Sequence, residues 1–367
     1  MNCNVCNHSE KTKIDILHPV FNHYNFLKMS NALALFCCNN CKFITIIKEE
    51  EHQVKAIYLN DDYFKTKPTH YISFKEISEK SNDNMVSVYK SRAECLKNFF
   101  TNDNPYVLDI GCLDGKMLIE IQNIFPDAQL YGYDINPNIG SIFPDKKNFF
   151  FCTGNISKVN KTFDAIIMSN VIQYLPDSKE LLLQLKTLLK PEGFIYIEVV
   201  DITKNPIAIL YGDQFSYYSE PILKNLLKLS GYNFFSLNNT WATRDLSCIA
   251  KVSTVEKNFE LEKDDSIQEC IEYLNTIENK LKQIKHSNLK VLGTTINAAF
   301  INSIIGDKVS SFIDEHPKKI GQYFYDKKII HPSELTDSDI VLISYKDSGN
   351  KIKERLSHQY NGEYVLL

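Results

Sequence analysis

Three carboxylates and two glycines gather around one turn of this 367-residue chain. Asp109 stands near the end of the apolar run Tyr106-Val107-Leu108-Asp109-Ile110, and Gly111, Cys112, Leu113, Asp114 and Gly115 follow it. Asp134 closes a second apolar run, QLYGYD, 19 residues after Gly115. Glycines four apart where a strand turns into a helix permit positive φ and let a ligand approach the backbone closely. An acid at the tip of the next strand can accept hydrogen bonds from a ribose diol. Asp109 and Asp114 would repel a pyrophosphate and attract a cation. S-adenosylmethionine has an ammonium, a sulfonium and a ribose, and it lacks phosphate. The absence of GxGxxG, together with these acids, argues against a dinucleotide oxidoreductase.

A second constellation lies near the start. Cys3-x-x-Cys6 and Cys38-x-x-Cys41 can hold one Zn²⁺ in a tetrahedron of thiolates, a closed site with a structural role. The spacer between Cys6 and Cys38 is 31 residues, longer than a zinc ribbon needs, so it must fold as a small unit. Cys37 is a rival ligand, but Cys38 completes the CxxC pair with Cys41. His8, His18 and His23 read as surface or hydrogen-bonded histidines and not as metal ligands.

The surrounding elements must position these groups. Pro105 sets a strand start, and KMLIEIQNIF after Gly115 reads as a helix closed by Pro126. MVSVYKSRAECLKNFF has apolar residues at helical spacing. Then YVLDI, the GCLDG helix, QLYGYDI, NFFFCTG, FDAIIMSN, LLLQLKTLL and GFIYIEVV alternate as strands and helices, implying a parallel sheet covered on both faces. Residues 48–90 read as a connector, KEEEHQVKAIY being helical. Ile267, Ile271, Leu274, Ile277 and Leu281 form one stripe of a later helix. LKVLGTTINAAFINSII and SDIVLISY then open a second, smaller Rossmann-like unit. Its turn, GTTIN, holds a single glycine and is not expected to bind a cofactor. The expected division is a zinc module with connector over 1–84, a cofactor-binding domain over 85–250 and a C-terminal α/β domain over 251–367.

Composition narrows the classes. The net charge of −4 favours neither a nucleic-acid nor a lipid partner. The start lacks a signal peptide pattern, and no apolar run is long enough to span a membrane. Ten cysteines without a secretory signal point to a reducing, cytoplasmic compartment and to thiols or metal.

The motif DIGCLDG resembles the first motif of class I S-adenosylmethionine-dependent methyltransferases. More narrowly it resembles the Asp/Glu-Ile-Gly-x-Asn-Asp-Gly form of three-domain sugar C-methyltransferases, with Leu113 in place of the frequent asparagine. Members of that family begin with a CxxC…CxxC zinc module and end in a Rossmann-like domain carrying Asp-x-x-Pro-x-Lys-x-Gly-x-Tyr. That last motif is matched here from Asp314 to Tyr323. The resemblance implies S-adenosylmethionine contacts at Asp109, Gly111, Cys112, Asp114, Gly115, Asp134, Ile135, Asn155, Ile156 and Asn170. It also implies a tyrosine from a loop over the substrate, best matched by Tyr63.

The chain departs from the family where the chemistry lies. The family segment Tyr-His-Glu-His-Phe reads Tyr211-Gly212-Asp213-Gln214-Phe215 here, so Gln214 replaces the histidine assigned as base. Tyr174 stands where another histidine is frequent. Gln214 cannot accept a proton near neutral pH. Asp213 is a candidate base, and Tyr63, Tyr174 and Tyr211 are candidate donors to an oxyanion or, with lowered pKa, acceptors of a proton. The expected activity is methylation of a small-molecule acceptor, a nucleotide-linked sugar by analogy, at oxygen or by an altered route to carbon. The acceptor is expected between the sheet's C-terminal edge and the third domain. The alternative is a binder that keeps the cofactor and has lost the base.

Overall fold

The computed structural model describes residues 2–23, 25–46, 88–156, 159–237, 242–253, 260–346 and 348–367. Tyr63 and residues 48–87 of the connector lie outside the described residues.

The central sheet is built on the strands that the apolar runs specify: β6 (Tyr106–Ile110), β7 (Gln129–Asp134), β8 (Phe149–Thr153), β9 (Phe163–Ser169) and β10 (Leu189–Val200). Leu108, Ile166, Ile167, Ile195 and Ile197 are fully buried, as expected of strands covered on both faces. β6 to β9 pair in parallel with one another and β9 pairs in parallel with β10. The sheet is nevertheless mixed. β12 (Tyr232–Leu237) and β13 (Asp245–Val252) form a hairpin whose second strand runs antiparallel to β10, giving the order β12-β13-β10-β9-β6-β7-β8. This corrects the expectation of a parallel sheet. Alternation of strand and helix signals parallel pairing only while it lasts, and it stops after the helix Glu220–Leu229.

The helices follow their apolar stripes. α1 (Val88–Lys97) buries Val88, Arg92, Ala93 and Leu96. α2 (Lys116–Ile124) starts from Gly115 and buries Met117, Leu118 and Ile121. α3 (Ser178–Leu188) runs directly into β10, and α4 (Glu220–Leu229) is capped by Ser219, whose hydroxyl accepts from the Ile222 N–H at 3.3 Å.

Two further sheets flank the central one. The N-terminal strands β1 (Lys11–Ile16), β4 (Leu33–Cys38) and β5 (Ile44–Ile46) are antiparallel, with a small β2 (Val20–Phe21) and β3 (Lys28–Ser30) ribbon between β1 and β4 in the chain. β11 (Ser216–Tyr217), from the far side of the central unit, adds to β5 as a fourth strand. Gly212 N–H donates to Phe21 O at 2.9 Å, and Ile46 N–H to Phe215 O at 3.1 Å. The segment from 211 to 217 is thus laced into the N-terminal module.

At the other end, α5 (Ser266–Gln283) buries Ile267, Cys270, Leu274, Ile277 and Leu281, so Cys270 takes the place expected for Ile271. β14 (Leu289–Leu292), α6 (Ile296–Ile305), β15 (Val309–Ile313), β16 (Tyr323–Phe324), β17 (Lys327–Ile330), β18 (Ile340–Ile343), α7 (Gly349–Gln359) and β19 (Glu363–Leu366) follow. Their six-stranded sheet has the order β16-β17-β15-β14-β18-β19, parallel except for the β16–β17 pair. Among the described residues, no helix is long and apolar enough to cross a membrane.

Candidate active site

The turn after β6 takes the conformation that its glycines allow. Gly111 has φ 73° and Gly115 φ 68°. A Cβ on Gly111 would lie 2.6 Å from Val171 Cγ2, and one on Gly115 2.7 Å from Pro144 Cδ, so both positions exclude side chains on two counts. Leu113, between them, has φ 47°, a left-handed conformation that asparagine tolerates better than leucine. The N–H groups of Gly111 and Cys112 donate to Tyr133 O at 2.7 and 3.1 Å, fastening the turn to the strand end that carries Asp134.

Asp134 is buried at that tip, and its Oδ1 accepts the Asn136 N–H at 3.0 Å. Ile135 beside it is half exposed, offering apolar surface to a flat ring. Asp109 is buried, and burial, aided by the charges of Asp134 and Asp114 and opposed by Arg92, pushes its carboxyl up to about 8. Asp134 and Asp114 thus raise the cost of ionising Asp109, and a cationic ligand relieves it; Asp114 itself pairs with Lys116 at 2.7 Å. Glycines that admit a ligand to the backbone, an acid at the ribose position and an acidic wall together fit S-adenosylmethionine. When bound, that molecule supplies an electrophilic methyl carbon.

The residues expected to face an acceptor begin at the tip of β9. Asn170, with φ 55°, donates from Nδ2 to Asp245 Oδ2 at 3.4 Å and accepts from Gln173 Nε2 at 3.3 Å. Burial and the neighbouring Glu198 raise Asp245 to about 7. The turn of 3-10 helix Ile172–Tyr174 then presents Tyr174, whose hydroxyl accepts from Gln214 Nε2 at 3.3 Å. Asp213 is fully buried. Its Oδ2 accepts the His23 backbone N–H at 2.9 Å and lies 3.0 Å from His23 Nδ1. The His23 ring packs on Tyr174 with centroids 4.7 Å apart and meets Tyr211 edge-on at 6.2 Å. Burial raises the Tyr211 phenol, Asp213, Asp245 and Tyr345 add to the effect, and Arg244 opposes it. A raised phenol stays protonated at neutral pH, the state in which Tyr211 is a hydrogen-bond donor. Asp213 as a direct base also changes meaning, because one of its oxygens is committed to His23.

Among the described residues, the structure brings Tyr174, Tyr211, Asp213 and Gln214 into one cluster. It adds His23, read from sequence as a surface or hydrogen-bonded histidine. Asp213 indeed hydrogen-bonds it, but inside the cluster. No local pattern around HPVFNHYNF signals this, because His23 and Asp213 are 190 residues apart.

Residues 87–237 match the family model described as "Methyltransferase domain". The central unit is a class I S-adenosylmethionine-dependent methyltransferase domain. Curated relatives agree over short spans. The chain is 29% identical over 101 residues to trans-aconitate 2-methyltransferase of Deinococcus radiodurans, covering 26% of this chain and 39% of that protein. It is 30% identical over 99 residues to malonyl-[acyl-carrier protein] O-methyltransferase of Halalkalibacterium halodurans, covering 24% and 36%. The chain spans about two fifths of the length of the curated relatives it matches. A solved S-adenosylmethionine-dependent methyltransferase from Clostridium acetobutylicum superimposes with a TM-score of 0.37 at 14% identity, over 45% of this chain and 90% of that one.

Around this methyltransferase domain the other units close in. Phe26 of the N-terminal module lies between Tyr211, at 6.4 Å, and Phe324 of β16, at 6.3 Å, and its carbonyl accepts from the Tyr325 hydroxyl. His18 lies 3.0 Å from Glu278 and 3.1 Å from Asn275, both on α5. Lys346 Nζ donates to Thr203 O at 3.0 Å.

The four cysteines also meet. The sulfurs of Cys3, Cys6, Cys38 and Cys41 all lie within 4.8 Å of one another. Cys3 and Cys41 are 3.7 Å apart and Cys6 and Cys38 3.5 Å. A tetrahedron with Zn–S of about 2.3 Å has edges of about 3.8 Å. Cys37 points elsewhere, its thiol directed at Lys42 O at 3.7 Å and pushed up to about 11 by burial.

Proposed function

We propose that this protein transfers the methyl group of S-adenosylmethionine to a small-molecule acceptor, a nucleotide-linked sugar, and that its four cysteines hold one structural Zn²⁺. The observation carrying the first part is the convergence of Asp109, Asp114 and Asp134 on a turn whose glycines leave the backbone bare. The sequence resemblance to three-domain sugar C-methyltransferases supports the sugar and the division into zinc module, methyltransferase domain and C-terminal α/β domain.

Transfer from a sulfonium is an in-line displacement. The accepting atom must approach to about 3 Å opposite the leaving sulfur, so alignment accounts for much of the rate. The chain's own contribution is positional and electrostatic. Gly111 and Gly115 admit the cofactor, Asp134 holds the ribose, and the acids face its cations. Tyr211 donates to the acceptor, and the packed units exclude water. Replacement of the family histidines by Tyr174 and Gln214 supports oxygen, or carbon by another route, as the accepting atom. It also supports a second reading, a binder without turnover.

Calorimetry with S-adenosylmethionine and NAD tests the cofactor; tighter binding of NAD would sink the proposal. Formation of S-adenosylhomocysteine with UDP-, GDP- and dTDP-linked hexoses, and with their keto and amino counterparts, separates enzyme from binder.

A further inference from the structure

We propose that His23, delivered by the N-terminal module, is the general base of methyl transfer, and that Asp213 is its positioning residue. This rests on the methyl-transfer reading above.

The position is the first argument. Tyr174 and Gln214 bond to each other at 3.3 Å. His23 packs on the same Tyr174 ring at 4.7 Å. Val171, in the same turn as Tyr174, touches the place where a Gly111 side chain would be. That turn therefore forms the wall between the cofactor's glycine turn and His23. An imidazole from a different part of the chain thus lies beside both Tyr174 and Asp213.

The electrostatics are the second argument. A carboxylate accepting from Nδ1–H fixes the tautomer whose lone pair is on Nε2. Asp213 also holds the His23 backbone N–H, so ring and main chain are both set. Asp213 Oδ1 is buried with no partner among the described residues, and a buried carboxylate gains from a positive charge forming beside it. Asp213, Tyr174 and Tyr211 are among the groups facing His23, and Arg244 acts on Tyr211 from the loop before β13. Gln214 has no basic lone pair and the Tyr211 phenol is raised, so neither competes for the proton.

The step balances. His23 Nε2 takes the proton from the acceptor's O–H, N–H or activated C–H. The freed electron pair forms the bond to the methyl carbon, and the C–S pair leaves on sulfur, giving a neutral thioether. His23 imidazolium, stabilised by Asp213, returns its proton to water. Methylated acceptor and S-adenosylhomocysteine are released.

The experiment has three arms. Calorimetry of S-adenosylmethionine with wild type and His23→Gln should give equal Kd; absence of binding to wild type would overturn the underlying reading. With the nucleotide-hexose panel named above, His23→Gln should lower kcat by about 10²–10⁴ and remove the acid limb of the pH–rate profile. Unchanged kcat would overturn the assignment, as would a wild type that binds S-adenosylmethionine and methylates no member of the panel. Nitrogen-15 histidine NMR needs no acceptor. It should show His23 protonated on Nδ1 in neutral wild type, with that preference lost in Asp213→Asn. An Nε2–H tautomer in the wild type leaves no base facing the acceptor and sinks the proposal.

Discussion

The Gln214 amide donates to the Tyr174 hydroxyl at 3.3 Å, so the two positions where the resembled family keeps histidines are partners in this chain. Their hydrogen bond joins the loop before β11 to the turn after β9. Phe215 N–H adds a backbone bond to Gln173 O at 2.8 Å along the same seam. Gln214→Ala should therefore act mainly through positioning. We expect a rise in KM for a panel acceptor with a smaller change in kcat, read by steady-state kinetics.

Asp134 should anchor the cofactor's ribose. Asp134→Ala should weaken S-adenosylmethionine binding by about 1.5–3 kcal/mol, the scale of hydrogen bonds to a charged acceptor. Calorimetry with unchanged affinity would remove Asp134 from the site. The loss of its bond to Asn136 N–H makes a circular-dichroism control on folding necessary.

Asp109 should couple cofactor binding to protons. Its carboxyl is raised from 3.8 to about 8, chiefly by burial, so at pH 7 the free protein holds that proton. A cationic ligand favours the ionised form, so binding should release a proton and tighten as pH rises from about 6 to 8. Titrations in buffers of different ionisation enthalpy measure the release directly; a buffer-independent enthalpy would contradict it. The linkage to folding has the opposite sense. Between 3.8 and about 8 the folded state binds more protons than the unfolded chain, so this group lowers stability as pH rises through that window.

The four-cysteine cluster lies in the module that delivers His23. Stoichiometric zinc is expected in protein purified without chelator. Cys38→Ser should cut folding yield, because a closed site contributes to folding. The folded fraction should bind S-adenosylmethionine with nearly wild-type Kd while losing turnover, since Gly111, Asp109 and Asp134 lie outside the module. Equal loss of both would show that the central unit depends on the cluster.

How much of this was legible in sequence depends on the range of the interactions. Gly111 and Gly115 declare a left-handed turn locally, and the CxxC pairs declare their cluster because four thiols at that spacing have few other uses. Strands β6 to β10 were legible from apolar runs that need no partner information. The β12–β13 hairpin was not, because YNFFSL fully buries only Tyr232 and leaves Asn233, Phe235 and Ser236 exposed, so it shows neither a buried run nor a clean alternation. The Arg92–Glu198 pair escaped for a different reason. Arg92 lies on a helix and Glu198 in a strand, 106 residues apart, and a charged residue in an apolar pattern reads as solvent-facing until its partner is seen. His23 was obscured in the same way by its distance from Asp213. Most of the glycine turn is local in sequence, and the cluster around Asp213 is assembled by tertiary contacts.

The buried pair itself is testable. Arg92 Nε donates to Glu198 Oε2 at 3.2 Å, with a second contact between Nη2 and Oε1, and Tyr196 and Ser247 hydroxyls donate to Oε2 at 2.6 and 3.0 Å. Glu198→Gln leaves the guanidinium buried without its counter-charge, and we expect a loss of about 3–5 kcal/mol in urea unfolding. A double variant, Arg92→Met with Glu198→Leu, should recover much of that loss, because it removes both charges.

Tyr211 separates a hydrogen-bond donor from a base. Its phenol is buried and raised, with the charges of Asp213 and Asp245 opposing ionisation, so it stays protonated across the working range. Tyr211→Phe should then cost one hydrogen bond to an oxygen that gains charge, about 1.5–3 kcal/mol. That is roughly 10- to 150-fold in kcat/KM, because each 1.4 kcal/mol is tenfold. The shape of the pH–rate profile should not change, because no titrating group has been removed. A base would behave differently: its loss would abolish the acid limb, as expected for His23→Gln. Tyr211 also accepts the Tyr217 hydroxyl through its carbonyl at 2.5 Å, a contact the substitution leaves intact, so folding should be little disturbed. If Tyr211→Phe flattened the acid limb while His23→Gln did not, the roles of the two residues would have to be exchanged.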